Sequence, residues 1–333
     1  MSPLRNEMAP RGRAALLAAI AIVALASLPA TAEAKVALPV VERAGDDITV
    51  RAEEGLHRLA AEVAETAPLA LAHIESDLLD LPQPEHVEIR LVRTSADLAR
   101  AAPPGYRVPE WAAGVAFPRH GIVAVATRRG PDSIDVHRVV AHELAHMALG
   151  AALGGRAPRW LDEGFAYLHS SDFSAKRLRT LTGMAWSGRV IPLGAIDGHF
   201  PRGEDEASRA YAQSYDFVAY LALRGHHPGI DGAGDRWPFQ HFLARVAGGT
   251  SLRDAAVDAY GAPLGALFDE WYETLRDRYF FAPAGLVGLG IWALAALLLV
   301  VGYIRRRRQN RARLRLWEEE EAAWAERATP PGG

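Results

Sequence analysis

The residues with the plainest chemical capacity are His142-Glu143-Leu144-Ala145-His146. On an α-helix, residues four apart lie on one face, so His142 and His146 can direct two imidazoles at one metal ion. Glu143 is offset from them, where its carboxylate can reach a water beside that ion. A helix is expected here. Asp132 or Ser133 suits its N-cap, Asp135 suits its first turn, and Gly150, Gly154 and Gly155 give it places to stop. Val140, Leu144, Met147 and Ala151 form a second stripe that faces away from the histidines, towards a core. Taken alone, the pentapeptide also fits two idle histidines on a solvated helix.

The next segment favours the metal. Ala157-Pro158-Arg159-Trp160-Leu161-Asp162-Glu163-Gly164-Phe165-Ala166-Tyr167 reads as the start of a second helix, with Pro158 suited to its first turn. Catalytic zinc takes three protein ligands and keeps one position open for water. The chain has no cysteine, so the ligands must be nitrogen and oxygen, and Glu163 is the natural third. Glycine inside a helix costs ~1 kcal/mol relative to alanine. Close approach of the two helices would account for that cost at Gly164.

Together, His-Glu-Leu-Ala-His at 142–146 and Trp-Leu-Asp-Glu-Gly-Phe-Ala at 160–166 resemble the gluzincin metallopeptidases. That clan contains thermolysin and the aminopeptidase N family, and its shorter relatives are described as peptidase MA-like. The resemblance extends over about residues 50–280 and is most specific over 139–168. It implies a catalytic domain with one Zn2+ held by His142, His146 and Glu163. It also implies Glu143 as general base and a peptide or protein as substrate. Gly114-Val115-Ala116 resembles the strand edge that pairs with a substrate backbone in that clan. Aminopeptidase-like enzymes place an oxyanion-stabilising tyrosine at the start of a helix comparable to 208–223. Tyr211 fits that place, and Tyr215, one turn on along the same face, is the alternative. The family's Gly-Ala-Met-Glu-Asn segment, which holds a free amino end, is missing, which points to endopeptidase rather than exopeptidase activity. A carboxylate that orients the histidines is expected at Asp162 or Asp172. His137, His199, His226 and His227 are off the metal-binding face or in loops and are not expected to bind the ion. A different reading keeps the fold without the chemistry: an inactive or non-peptidase member acting as an envelope binding or scaffold protein.

Around these groups the pattern is of strands first and helices afterwards, an α+β arrangement. Residues 51–81 have helical periodicity up to Pro82 and Pro84. A strand is expected at 86–92, a short helix at 96–101, and a hairpin with strands near 112–117 and 122–127. From Pro131 to residue 280 the chain reads as mostly helical. The fold expected is thus a gluzincin-like domain with a small N-terminal β-sheet and a mostly helical C-terminal part. The 333 residues have a formal net charge of −3, and no basic stripe of the kind nucleic acid requires is evident.

Both ends carry membrane signals. Arg5, Arg11 and Arg13, the apolar run from Ala14 to Leu28 and Ala32-Glu33-Ala34 form the pattern of a signal peptide over 1–34, with an uncleaved anchor as the alternative. Residues 282–304 carry no charge, and about 20 apolar residues cross a ~30 Å bilayer core as a helix. Arg305 to Arg308 follow directly, which marks the cytoplasmic side. The expected organisation is an extracytoplasmic domain at 35–280, a transmembrane helix at 282–304 and a cytoplasmic tail at 305–333, in a single-pass protein of the cytoplasmic membrane.

Overall fold

A computed structural model describes residues 37–109, 112–170, 175–198, 203–224, 237–280 and 282–328. The chain divides into two units, the first ending at Tyr272 and the second running from Glu273.

In the first unit, alternation over Ile48-Thr49-Val50-Arg51-Ala52 turns Ile48, Val50 and Ala52 inward and leaves Thr49 and Arg51 half-buried. This is β2 (Ile48–Ala52), paired antiparallel with β1 (Val40–Ala44). The turn between them uses Gly45 at φ 68°, in the left-handed region that glycine enters freely. The helix expected from residue 51 therefore starts later, as α1 (His57–Glu75). The period-two pattern of 48–52 outweighs helical propensity because it buries three side chains in the sheet. α1 also ends before Pro82, and it accommodates Pro68 inside.

The sheet continues with β3 (Val87–Thr94), β4 (Gly114–Phe117), β5 (Ile122–Arg129) and β6 (Asp132–Ser133), in the order β1-β2-β3-β5-β4 with β6 beside β5. The short helix expected at 96–101 is a 3-10 turn leading into α2 (Leu98–Ala101), and the expected hairpin is β4–β5. β2–β3 and β3–β5 are parallel. Parallel neighbours need a crossover, and α1 supplies the one between β2 and β3. Ala60, Val63, Ala67, Leu71 and Ile74 are the buried stripe of α1. β4 is an edge strand, with β5 as its only strand partner among the described residues.

α3 (Val136–Ala152) carries the two histidines. Its N-cap is Asp135, whose carboxylate accepts the backbone N–H of Arg138 at 3.2 Å. Asp132 and Ser133, expected as caps, instead form β6 opposite Arg129 and Arg128. After α3 the chain reverses through Gly154 (φ 58°) and Gly155 (φ 71°) into α4 (Arg159–Ser170). α5 (Ala175–Ser187), α6 (Leu193–Gly198), α7 (Glu204–Leu223), α8 (Pro238–Ala247), α9 (Leu252–Tyr260) and α10 (Leu264–Phe280) follow. Asp197 of α6 accepts the backbone N–H groups of Arg159 and Trp160 and so caps α4 from outside its own helix.

Gly164 permits a close approach, but to α7 rather than to the histidine helix. A Cβ at this position would lie 2.4 Å from the Ser214 carbonyl oxygen and 2.5 Å from Val218 Cγ2. Gly164→Ala therefore sets two effects against each other. Helix propensity favours alanine by ~1 kcal/mol, whereas overpacking costs about 1–3 kcal/mol. A backbone carbonyl cannot swing aside, so the clash should win and the urea midpoint should fall. An unchanged or raised midpoint would show that α4 and α7 have room to spare.

In the second unit, α11 runs unbroken from Ala282 to Ala328. Among the described residues no helix is long and apolar enough to cross a membrane. The side chains of 282–289, which open the expected span, lie outside the described residues, as does the whole expected signal peptide at 1–34. Within the described part of the run, Ile291, Trp292, Leu294, Leu297, Leu298 and Leu299 are exposed.

Candidate metal centre

α3 and α4 bring three side chains to one buried point. The Nε2 atoms of His142 and His146 lie 3.1 Å apart. Glu163 Oε2 is 4.0 Å from each of them. All three residues are buried, and their ligand atoms lie within 4.8 Å of one another. Two atoms bound about 2.0–2.1 Å from one zinc ion in tetrahedral geometry are roughly 3.3 Å apart. The imidazoles already have that spacing, and the carboxylate needs only a small shift to join them.

The outer ring nitrogens fix the tautomers. His146 Nδ1 is 2.8 Å from Asp162 Oδ1, a carboxylate oxygen that accepts its proton. His142 Nδ1 is 3.1 Å from Ser170 Oγ, and the Ser170 hydroxyl donates to the Ala166 carbonyl at 2.6 Å. With the Ser170 proton committed to Ala166, His142 Nδ1–H must be the donor. Both Nε2 atoms then face the same point, and both offer a lone pair there once His146 has given up its second ring proton. Asp162 thus occupies the orienting position expected for it. Asp172, the other candidate, lies outside the described residues.

The electrostatics agree. Burial and the neighbouring His146 push His142 well below its usual value, so it is neutral near pH 7. Burial also pulls His146 down, but the charge and hydrogen bond of Asp162, with Glu163 and Glu143, outweigh it and lift the ring to about 9. Burial pushes Glu163 up to about 7, against the pull of His146. The group is a buried cluster of nitrogen and oxygen donors in which protons on His146 and Glu163 compete with a divalent ion.

Glu143 is fully buried, with no side-chain partner for its oxygens; the group facing the carboxylate is the backbone N–H of Ala116 on β4. Burial lifts it to about 8, partly offset by His146. It stands against the edge strand: a Cβ on Gly114 would lie 2.9 Å from Glu143 Oε1 and 2.6 Å from Val139 Cγ1. Gly114 is therefore glycine for lack of space, and the β4 edge borders the site.

The two tyrosine candidates separate. Tyr211 feels the charge of Glu163, and its ring lies 5.6 Å from Tyr167. Tyr215 lies under the Arg177 guanidinium, 4.0 Å from its ring centroid. Tyr167 is a neighbour that the sequence reading did not single out. It is one turn past Glu163 and packs edge-on against His142 at 4.8 Å. Its i+4 spacing from Glu163 was the available signal. Of the other histidines, His137 is hydrogen-bonded to Thr66 at 3.0 Å, away from the group. His199, His226 and His227 lie outside the described residues.

The sequence profile of the peptidase MA superfamily matches residues 69–277, a span that includes every member of this group. No curated protein matches the chain.

Proposed function

The chain belongs to the peptidase MA superfamily, and on that premise we propose that it is a zinc-dependent peptidase of the gluzincin type. His142, His146 and Glu163 hold one Zn2+, Glu143 is the general base and Tyr211 the oxyanion donor. The observation that carries the proposal is the pairing of a buried His–His–Glu group with a second buried carboxylate, Glu143, which no side chain hydrogen-bonds or neutralises as an ion pair. An inactive scaffold needs no such combination.

Zinc at this site supplies Lewis acidity, which lowers the pKa of a bound water from 15.7 to roughly 7. Asp162 and Ser170 keep the imidazoles in the tautomer that presents Nε2. Glu143 accepts the proton of the attacking water and returns it to the leaving amine. The Tyr211 hydroxyl donates to the oxygen on which negative charge develops. β4, the edge strand beside Glu143, is where an extended peptide would align by strand addition. A strand edge beside the site, in a sequence without the Gly-Ala-Met-Glu-Asn segment, suits cleavage within a chain.

The proposal also sets residues 35–280 outside the cytoplasmic membrane, behind a signal peptide at 1–34, with a span at 282–304 and the tail at 305–333 inside. The uncharged run followed by Arg305 to Arg308 supports this orientation.

Purified full-length protein incubated with an unfolded protein substrate should release peptides with new internal ends. Release should stop with a chelator and return with stoichiometric zinc. If the substrate stays intact while other amides are hydrolysed, the peptidase assignment fails and a different zinc hydrolase replaces it. If nothing is hydrolysed by zinc-loaded protein, the scaffold reading replaces both.

A further inference from the structure

Glu163 has two oxygens in two environments. Oε2 faces the imidazoles, at 4.0 Å from each Nε2. Oε1 faces Arg159 Nη2 at 3.7 Å. Arg159 is the first residue of α4, at the end of the helix where the macrodipole disfavours a cation by about 0.3–1 kcal/mol. Helix stability therefore does not explain an arginine there. Its side chain is 36% exposed while that of Glu163 is fully buried, so it bridges solvent and site. It is also hydrogen-bonded to the side chain of Tyr211, on a different helix. A guanidinium presents five N–H groups in one plane, so a single side chain can serve a carboxylate and a phenol together.

We propose that Arg159 is a positioning residue that keeps Oε1 of Glu163 turned towards itself, so that the carboxylate offers Oε2 alone to the metal, and fixes the Tyr211 hydroxyl beside it. One guanidinium thereby couples a ligand on α4 to the oxyanion donor on α7. The inference rests on the zinc peptidase reading, and its test has one arm that does not need peptidase activity.

That arm is the visible spectrum of the cobalt(II)-substituted full-length protein. In Arg159→Met, Glu163 is free to offer both oxygens, the coordination number rises, and the visible bands should lose intensity. Arg159→Lys keeps a charge opposite Glu163 and should keep the wild-type spectrum. It lacks the planar fork and should not hold Tyr211 at the same time. In the kinetic arm both variants should lose kcat towards the level of Tyr211→Phe, about 10²–10³ below wild type, with KM within about twofold. Placed on the Tyr211→Phe background, Arg159→Lys, which leaves the hold on Glu163 in place, should not lower kcat more than about threefold further.

A wild-type spectrum in Arg159→Met overturns the hold on Glu163. An Arg159→Lys loss of kcat that multiplies in full with Tyr211→Phe overturns the hold on Tyr211. If Arg159→Met does not fold, Arg159→Lys decides: normal turnover in that variant rejects the coupling. If wild-type protein cleaves no peptide, the functional proposal fails and the cobalt spectrum alone decides the role of Arg159.

Discussion

Glu143→Gln should lower turnover by about 10²–10⁴-fold, the usual worth of a positioned general base, and leave zinc content at the wild-type level. The amide has the volume of the carboxyl group, so it fits against Gly114, where a Cβ would come within 2.9 Å of Oε1. It cannot take a proton from water. Glu143 is outside the three-residue ligand group, so the metal should stay. The substitution strands no partner, because the amide oxygen can still accept from the Ala116 backbone N–H that faces Glu143. Stability should change little or rise slightly, since a buried ionisable group is replaced by a neutral one. Parallel measurement of kcat and elemental zinc checks this. Normal turnover in the variant would mean that another group takes the proton. Loss of zinc would mean that Glu143 helps to hold the metal.

The site was more legible in the sequence than the fold around it. The convergence of His142, His146 and Glu163 could be read because a metal site would require those residue types and a helix imposes spacing. Both constraints are local, and α3 and α4 are joined by a short turn through Gly154 and Gly155. Asp162 was legible as one of two candidates because it adjoins Glu163. The role of Gly164 was misread because its partner, Ser214 on α7, is distant in sequence, and nothing near Gly164 names the helix it meets. Tyr211 and Tyr215 share a helix face, so only the positions of Glu163 and Arg177 tell them apart. The strand at 48–52 was hidden because its alternation runs into the apolar spacing of α1, and helical period took precedence in the reading. The cap of α3 moved from Asp132 or Ser133 to Asp135 because β5 extends far enough to recruit the first two into a ladder. Such tertiary choices override local propensity whenever they satisfy more backbone groups.

Zinc uptake by the metal-free protein should displace about one to two protons from the three ligands at pH 7, and up to about one more from Glu143, which burial lifts to about 8. Zinc affinity should rise about tenfold per pH unit for each proton displaced. The sign follows from the free cluster. His146, lifted to about 9 mainly by Asp162 against burial, carries a proton at pH 7 and must lose it to offer Nε2. Glu163, raised to about 7 by burial, is about half protonated there. His142 is held neutral by burial and by His146 and contributes no proton. Affinity should therefore climb through pH 7 and level off above about 9, once His146 is free. Titration calorimetry in two buffers of different ionisation enthalpy counts the protons directly. Asp162→Asn tests the cause. It removes the charge that raises His146, so fewer protons should be displaced at pH 7. It also loosens the Nδ1 anchor now made at 2.8 Å, which should weaken zinc by about 10–100-fold. The two consequences pull against each other at low pH, where relief from proton competition is greatest. The affinity gap between Asp162→Asn and wild type should accordingly narrow at pH 6 and widen at pH 9. A gap that stays constant across that range would show that Asp162 acts on ring orientation alone, with no part in setting the charge of His146.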